Sequence, residues 1–237
     1  GRITGTLGDI GGFSLNYHKH IHTGEGGIIV TNNEYFANRM MLIRNHAESV
    51  ADGIRVENFN NLIGYNFRLG EIESAIGIEQ IKKLDELVSK KRKVAKKLNI
   101  ELSNLKGLIL PKTDKENTHS YYIFPMILDQ DIVKVERYKI YDALKAEGVM
   151  GLMQGYVNLH LLPAFQKKIA YGSKGFPWTF SESRKNINYS KGICPIAETF
   201  HDKTFLGFEL CLFELSDNDI KNIGEAFRKV WKNLKNL

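Results

Sequence analysis

Residues 8–27 read GDIGGFSLNYHKHIHTGEGG, and this stretch decides how the rest of the chain is organised. Gly8 to Leu15 has the pattern of a buried strand that glycines lead into. Residues 16–26 are polar, rich in glycine and dense in histidine, which is typical of a loop. Gly27 to Thr31 predicts a second short strand. The stretch therefore predicts two strands joined by a loop that carries Lys19.

The segment after these strands predicts helices separated by a loop. Asn32 or Asn33 can cap the first helix. Its apolar positions, spaced at i, i+4 and i+7, are Phe36, Met40 and Ile43. Residues 47–66 carry many Asn and Gly and predict an extended loop, and a long helix follows from Gly70. The first half of that helix is apolar on more than one face and is predicted to be buried, at Ile72, Ala75, Ile76 and Ile78. The second half is lysine-rich outside an apolar stripe of Leu84, Leu87, Val94 and Leu98.

The chain changes character at residues 103–118, where turn-forming residues predict a linker. Tyr121 to Leu128 then predicts a strand. Val133 to Glu147 predicts a helix that Gly148 stops. Ser181 to Lys191 predicts a further short helix.

The last helix begins at a predicted capping box, Ser216 with Asp219. An apolar stripe continues from it to the end of the chain at Ile220, Ile223, Phe227, Val230, Trp231 and Leu234. The whole pattern predicts an α/β protein. Residues 1–104 are expected to be the end of a large sheet domain, and residues 105–237 a smaller α+β domain.

Composition bounds the class of protein. The 237 residues are 43% hydrophobic and 25% charged, which are ordinary globular values. No apolar run is long enough to predict a membrane-spanning helix. Cys194 and Cys211 are the two cysteines, which argues against a disulfide scaffold and fits a reducing cytosol, so a cytoplasmic protein is expected. The start lacks an initiator Met, so we expect the chain to begin within a domain.

The net charge of +6 leaves two interpretations open. It can reflect a solvated lysine-rich surface, or attraction for an anionic ligand such as a nucleotide diphosphate. The main basic cluster, residues 90–97, reads KKRKVAKK and has no interleaved aromatic residues. Binding to nucleic acid is therefore only weakly supported, and no nucleic-acid partner is predicted.

Lys19 and Ser14 are the two residues on which a chemical interpretation depends. An amine in a glycine-flanked loop can form an imine with an aldehyde cofactor, because glycines let a ligand approach the backbone closely. A serine hydroxyl five residues earlier can then bind the cofactor's phosphate. A lysine on a loop is, taken alone, ordinarily a solvated surface residue.

His18, His20 and His22 alternate along the same loop, so an extended backbone would place all three on one side. That arrangement is conceivable for a metal site. Glu25 is the only carboxylate that joins them, and no cysteine does. The cofactor loop is the better explanation of the stretch, and no metal site is predicted.

Three stretches together resemble a known family. They are residues 8–27, residues 64–72 (GYNFRLGEI) running into Ala75-Ile76-Gly77, and more loosely residues 194–198 (CPIAE). Over nearly its whole length the chain is similar to sugar aminotransferases of the DegT/DnrJ/StrS type, which are fold type I enzymes that use pyridoxal 5′-phosphate (PLP). The resemblance implies that residues 1–104 end a large PLP-binding domain, a mixed sheet between helical layers, and that a small α+β domain follows.

The resemblance also implies roles for single residues. Lys19 matches the lysine that carries PLP, and Ser14 matches the serine that binds the PLP phosphate. Asn66 matches the asparagine that reaches the phosphate of the neighbouring subunit's cofactor, so a homodimer with shared active sites is expected. Arg68 is expected to fix its loop, and Glu71 to start a helix where its charge suits the helix dipole.

The activity implied is transfer of an amino group, from glutamate, to a nucleotide-linked keto sugar, in nucleotide sugar biosynthesis for cell-surface polysaccharide. Two alternatives stay open. Relatives with His at the lysine position are dehydratases that use the aminated cofactor, and a slip of one residue onto His18 or His20 would change the chemistry. A non-catalytic or regulatory protein would keep the fold without needing Lys19.

The chain departs from the family pattern chiefly in what it lacks. The family's preceding half supplies a phosphate-binding turn, an aromatic residue stacked on the pyridine ring and an aspartate that pairs with the pyridine nitrogen. No match to these features stands in the sequence, so we expect the 237 residues to form only part of an active site.

Overall fold

Helices and strands alternate in a mixed α/β order along the chain. The computed structural model describes residues 1–48, 57–58, 60–181 and 186–237. Its Cα positions group into two compact units. Unit 1 comprises Gly1–Lys90 and Asp114–Ser120, and unit 2 comprises Lys91–Thr113 and Tyr121–Leu237.

Unit 1 contains a pair of antiparallel strands, β1 at Gly11–Ser14 and β2 at Gly27–Val30. Gly11 lies opposite Val30, and Ser14 lies opposite Gly27. Residues 16–26 between them form neither helix nor strand. The prediction of two strands around a loop is confirmed, with strands shorter than predicted.

Helix α1, Glu34–Arg44, follows directly and begins where the sequence predicts. The Asn33 side chain accepts a hydrogen bond from the Phe36 amide at 3.2 Å, so Asn33 is the cap. Of the loop predicted at 47–66, residues 49–56 and 59 lie outside the described residues. The remaining positions of that loop belong to no helix or strand.

The long helix predicted from Gly70 is two helices, α2 at Glu71–Ile81 and α3 at Leu84–Leu102. The predicted burial of its first half is wrong for the described residues, because α2 has no buried residue. Ile72 is 76% exposed and Ile76 is 43% exposed. A helix that is apolar on several faces is buried only where other elements cover it, and the described part of the chain leaves these faces open.

Helix α3 buries one stripe, made of Lys91, Ala95, Leu98 and Leu102. Of the predicted stripe only Leu98 is fully buried. The shift brings a lysine into the stripe, where its Nζ donates to the Phe213 carbonyl at 2.7 Å. That bond matters because a buried ammonium is costly unless it has a hydrogen-bond partner.

Unit 2 contains a four-stranded antiparallel sheet in the order β3-β4-β6-β5. The strands are β3 at Leu108–Ile109, β4 at Phe124–Leu128, β5 at Leu152–Met153 and β6 at Phe205–Phe208. Alternate residues of β4 are buried, namely Phe124, Met126 and Leu128. They join the core of unit 2 together with buried residues of α3 and of the helices of this unit.

The remaining helices all belong to unit 2. They are α4 at Gln130–Val133, α5 at Arg137–Ala146, α6 at Pro163–Lys167, α7 at Pro195–Thr199 and α8 at Asp217–Lys232. A π-helical turn at Phe200–Thr204 and short 3₁₀ turns at Leu159–Leu161, Trp178–Phe180, Leu210–Leu212 and Leu234–Asn236 complete the helical elements described. Within the described ranges no helix is both long and apolar enough to cross a membrane.

The helix predicted at Val133 to Glu147 is α5, preceded by the short α4. Gly148 follows α5 with a φ of +86°, a backbone conformation that suits the glycine predicted to stop it. The helix predicted at Ser181 to Lys191 falls partly on residues 182–185, which lie outside the described residues. Residues 186–191 form no helix.

Helix α8 begins at the predicted capping box. The Ser216 hydroxyl oxygen accepts from the Asp219 amide at 3.2 Å, and Asp219 Oδ2 accepts from the Ser216 amide at 2.8 Å. The Ser216 hydroxyl and amide, both donating to the carboxylate, hold the pKa of Asp219 below its ordinary value. The apolar stripe of α8 is buried at Ile220, Ile223, Phe227 and Val230, as predicted.

Candidate functional site

The lysine loop, residues 16–26, is closed at its base by backbone hydrogen bonds. Because β1 and β2 pair side by side, the two ends of the loop lie at neighbouring positions of the strand pair. The Leu15 amide donates to the Gly26 carbonyl at 2.9 Å, and the Thr23 amide donates to the Leu15 carbonyl at 3.0 Å. Leu15 is itself buried. The base of the loop is therefore an extension of the strand pair.

Asn16 organises the interior of the lysine loop. Its carbonyl accepts from the Lys19 amide at 3.0 Å, which closes a turn over residues 16–19. Its side chain donates to Glu25 Oε1 at 2.6 Å, across the loop. Asn16 was not predicted as a site residue, although Asn before a turn is a recognisable signal because its side chain bonds nearby backbone.

Asn16 connects Ser14 to Lys19 through hydrogen bonds. The Asn16 amide donates to the Ser14 hydroxyl oxygen at 3.3 Å. Since that oxygen accepts from Asn16, its hydroxyl hydrogen points elsewhere and can be donated to an anion. Ser14 is exposed and Lys19 is half-buried.

The TGEGG turn at the end of the loop is tightly packed. Thr23 is buried, and its hydroxyl donates to the Glu25 carbonyl at 2.7 Å. Gly26 has a φ of +153°, and a Cβ there would lie 2.8 Å from Thr23 Oγ1 and 3.1 Å from Leu69 Cδ1. A glycine is therefore required at Gly26 both by the backbone angle and by the space.

Asn66 lies in a separate part of unit 1. It forms an isolated antiparallel bridge with Asn45, and the Phe67 amide next to it donates to the Arg44 carbonyl at 2.9 Å. The guanidinium of Arg68 donates to Asn45 Oδ1, which ties the same two stretches together. Asn66 is exposed. The backbone of Asn66 is thus held in place, while the residue is exposed to solvent.

Gly64 lies against the backbone that follows α1. A Cβ at Gly64 would lie 1.9 Å from the Ala47 amide nitrogen and 2.0 Å from the His46 carbonyl carbon. The His46 amide donates to the Tyr65 carbonyl at 2.9 Å. The spacing of the GYNFR motif therefore has a physical reason: only glycine lets the backbone carrying Asn66 approach the end of α1.

The rings of His20 and His22 each take part in a hydrogen bond. His20 Nε2 lies 2.8 Å from the Ser120 carbonyl oxygen, and His22 Nδ1 accepts from the Gly24 amide at 3.4 Å. Among the described residues, no group of three or more His, Cys, Asp or Glu side chains is arranged to hold a metal ion. The His22 ring therefore bonds within the lysine loop, and the His20 ring bonds the loop to Ser120.

The CPIAE stretch forms a buried acid–imidazole pair in unit 2. Glu198 Oε1 lies 2.9 Å from His160 Nε2, and both side chains are largely buried. The Gly192 amide donates to the same carboxylate at 2.8 Å and the Cys194 amide at 3.2 Å. Burial acts to raise the pKa of Glu198, but these three donors together hold it below its ordinary value. The pair joins the start of α7 to the 3₁₀ turn that contains His160.

The sequence comparisons agree on one family. The profile of the DegT/DnrJ/EryC1/StrS aminotransferase family matches residues 1–190. An uncharacterised protein of Methanocaldococcus jannaschii is 33% identical over 97% of this chain and 56% of its own length. GDP-perosamine synthase of Vibrio cholerae is 29% identical over 82% of this chain and 51% of its own length.

A comparison of structures gives the same result. The crystal structure of GDP-4-keto-6-deoxymannose-3-dehydratase with a trapped PLP-glutamate geminal diamine is similar at a TM-score of 0.67 and 26% identity. The similarity covers 95% of this chain and 56% of that one. The chain thus spans about half the length of the relatives it matches.

Gly64→Ala is expected to destabilise the protein, because the added Cβ would collide with the backbone of His46 and Ala47 after α1. We expect a loss of about 1–3 kcal/mol in the free energy of unfolding, as for other overpacked sites. Urea denaturation measures it. Gly12→Ala is the matched control, since a Cβ at Gly12 meets no atom within 4 Å. Equal stability of the two variants would contradict this account of the motif.

Proposed function

Because the chain belongs to the DegT/DnrJ/EryC1/StrS aminotransferase family, we propose that it is the part of a PLP-dependent aminotransferase that carries the cofactor lysine, Lys19. Enzymes of this family use PLP, and a solved relative contains PLP with glutamate. The observation that carries the proposal is the Asn16-centred turn. Its hydrogen bonds connect the Ser14 hydroxyl, at the end of β1, to the backbone of Lys19 in the glycine-flanked loop.

The residues present fit PLP by their chemistry. Ser14 offers a hydroxyl hydrogen to a phosphate, and charge-assisted bonds of this kind are the strong ones. Lys19 offers the amine that an aldehyde requires, at a position that the Asn16 carbonyl fixes through the Lys19 amide. When bound, PLP supplies the electron sink for removal of a proton next to the donor's nitrogen.

Lys19 then has two tasks in the proposed reaction. Its Nζ holds the cofactor until an amino donor takes that place. Once released, Nζ would accept a proton from the donor's α-carbon and deliver it to the cofactor. In the second half of the reaction it would move a proton from the cofactor to the carbon of the acceptor that gains the amino group. Both tasks need an amine on a backbone that is held in place, which the turn over residues 16–19 provides.

The proposed substrates are glutamate as donor and a nucleotide-linked keto sugar as acceptor. The similarity to GDP-perosamine synthase supports the nucleotide-linked class, and the net charge of +6 favours an anionic acceptor. The basic cluster at 90–97 is a poor surface for nucleic acid. Lys91 is buried and donates to the Phe213 carbonyl. Lys90 pairs with Glu86 at 2.7 Å. Lys97 pairs with Asp217.

A dehydratase is the second candidate, because a solved dehydratase is 26% identical to this chain. By the resemblance, Lys19 matches the position at which some relatives carry histidine and act as dehydratases. The five-residue spacing from Ser14 supports the assignment to Lys19, not to His18 or His20. Amino transfer is therefore the function we propose.

We propose that the active form is a homodimer in which Asn66 serves the neighbouring subunit's cofactor phosphate. Asn66 is exposed on a backbone that Asn45 and Arg68 hold. Tyr65 and Phe67 flank Asn66 in the sequence. Their aromatic rings stack on each other with centroids 4.9 Å apart, and both residues are exposed. Exposed aromatic residues next to a polar group are typical of protein interfaces.

The activity is tested by incubating the full-length protein with PLP, glutamate and GDP- or UDP-linked 4-keto sugars. We expect an amino sugar product and visible absorbance from bound PLP. Lys19→Ala should lose both, because it removes the amine that holds the cofactor. Lys82→Ala is the control, since that exposed lysine pairs with nearby Glu79 in a 2.5 Å contact. A deoxy product without nitrogen would instead indicate the dehydratase.

Ser14→Ala should weaken PLP binding by roughly ten- to a hundredfold, because a bond to a charged phosphate contributes about 1.5–3 kcal/mol. PLP should still attach at saturation, since Lys19 is unchanged. Equilibrium titration of the cofactor-free protein measures the dissociation constant. Ser103→Ala, which removes a hydroxyl at the end of α3, should leave it unchanged. If alanine at position 14 has no effect, the serine serves packing only.

Mixing Lys19→Ala subunits with Asn66→Ala subunits should restore activity in part. A heterodimer would contain one site that has both the lysine and the asparagine, provided that each site draws on two subunits. Activity of the mixture is compared with each variant alone, and subunit exchange is followed by native mass spectrometry. Exchange without any recovery of activity would mean that each site is built from one chain.

A further inference from the structure

A hydrogen bond connects the lysine loop to a distant segment of the chain. His20 follows Lys19 directly, and its Nε2 lies 2.8 Å from the carbonyl oxygen of Ser120, a hundred residues away in the sequence. A carbonyl oxygen only accepts, so Nε2 must carry the hydrogen. Both the neutral tautomer with a hydrogen on Nε2 and the charged imidazolium meet that requirement. The contact therefore persists whether or not the imidazole is charged.

The segment that His20 contacts lies between β3 and β4 in the sequence but belongs to the other unit. The chain leaves β3 at Ile109 in unit 2, forms Asp114–Ser120 as part of unit 1, and returns to unit 2 before β4. Ser120 is the last residue of this segment. Tyr121 follows with a φ of +56°, which is uncommon for a bulky residue and persists only where the surroundings impose it. The His20 bond thus lies at the point where the backbone turns.

The contact places residues 114–120 beside the loop that carries Lys19. Consecutive Cα atoms are about 3.8 Å apart, so residue 20 begins within one residue of Lys19. The segment that His20 holds therefore lies beside the loop that carries Lys19. No helix or strand of the described residues includes Asp114–Ser120, so a few contacts have to keep the segment in place.

We propose that His20 is a positioning residue that fastens Asp114–Ser120 to the lysine loop and thereby shapes the acceptor side of the site. This inference rests on the proposed function for its effect on the acceptor, but the attachment itself does not. His20 needs no contact with the substrate. Its side chain acts by donating to the Ser120 carbonyl, and the amino donor's half-reaction does not depend on it.

Hydrogen–deuterium exchange on the cofactor-free, full-length protein tests the attachment. His20→Leu removes the donor, and we expect the amides of residues 114–120 to exchange about two- to tenfold faster, as the loss of one hydrogen bond implies. His20→Gln retains an N–H donor and should exchange more slowly than the leucine variant. His22→Leu is the matched control, because His22 bonds only locally to Gly24 among the hydrogen bonds described.

Kinetics on the PLP-loaded protein test the positioning. His20→Leu should raise KM for the keto sugar, leave the half-reaction with glutamate unchanged and retain the visible absorbance of bound PLP. Unchanged exchange at 114–120, or faster exchange with an unchanged KM, would overturn the proposal. If wild-type protein does not bind PLP through Lys19, the proposed function fails, and the exchange result still decides whether His20 holds the segment.

Discussion

The hydrogen bonds that close residues 15–26 across a single pair of strands are the constraint on which the rest of the site depends. Leu15 and Gly26 join the two ends, and Asn16 connects the Ser14 hydroxyl, the Lys19 amide and the Glu25 carboxylate. Each bond contributes only about 0.5–1.5 kcal/mol. Together they restrict a glycine-rich segment that would otherwise be free to sample many backbone conformations. A lysine can be a specific chemical group only when its backbone is held in this way.

The second constraint is close approach of backbone at glycine. At Gly64 and Gly26 a Cβ would collide with backbone or with a buried side chain. Gly64 keeps Asn66 beside the end of α1. Gly26 lets the TGEGG turn pack closely on its own Thr23 side chain and on Leu69. The motifs of the sequence are therefore packing requirements as well as chemical ones. The residues proposed to act on the cofactor are few, and most of each motif serves to place them.

Much of the fold could be predicted because the signals are local. The strand pair around the lysine loop, the Asn33 cap and the Ser216 capping box each depend on residues within a few positions of one another. The burial of α2 and the stripe of α3 could not be predicted, since both depend on which distant elements pack there. The role of His20 could not be predicted for the same reason, since its partner Ser120 lies a hundred residues away. Asn16 was not predicted as a site residue although its partners are local and Asn before a turn is a recognisable signal. The chemical roles of Ser14, Lys19 and Asn66 remain proposals that the geometry supports.

The central claim is that PLP is attached to the amine of Lys19. The most direct measurement is reduction of the PLP-loaded, full-length protein with borohydride, followed by proteolysis and mass spectrometry of the labelled peptide. We expect a single label on Lys19, in the peptide that contains residues 16–26, and no label in a Lys19→Ala variant. A label on Lys82 or Lys83, or one that persists when Lys19 is replaced, would contradict it.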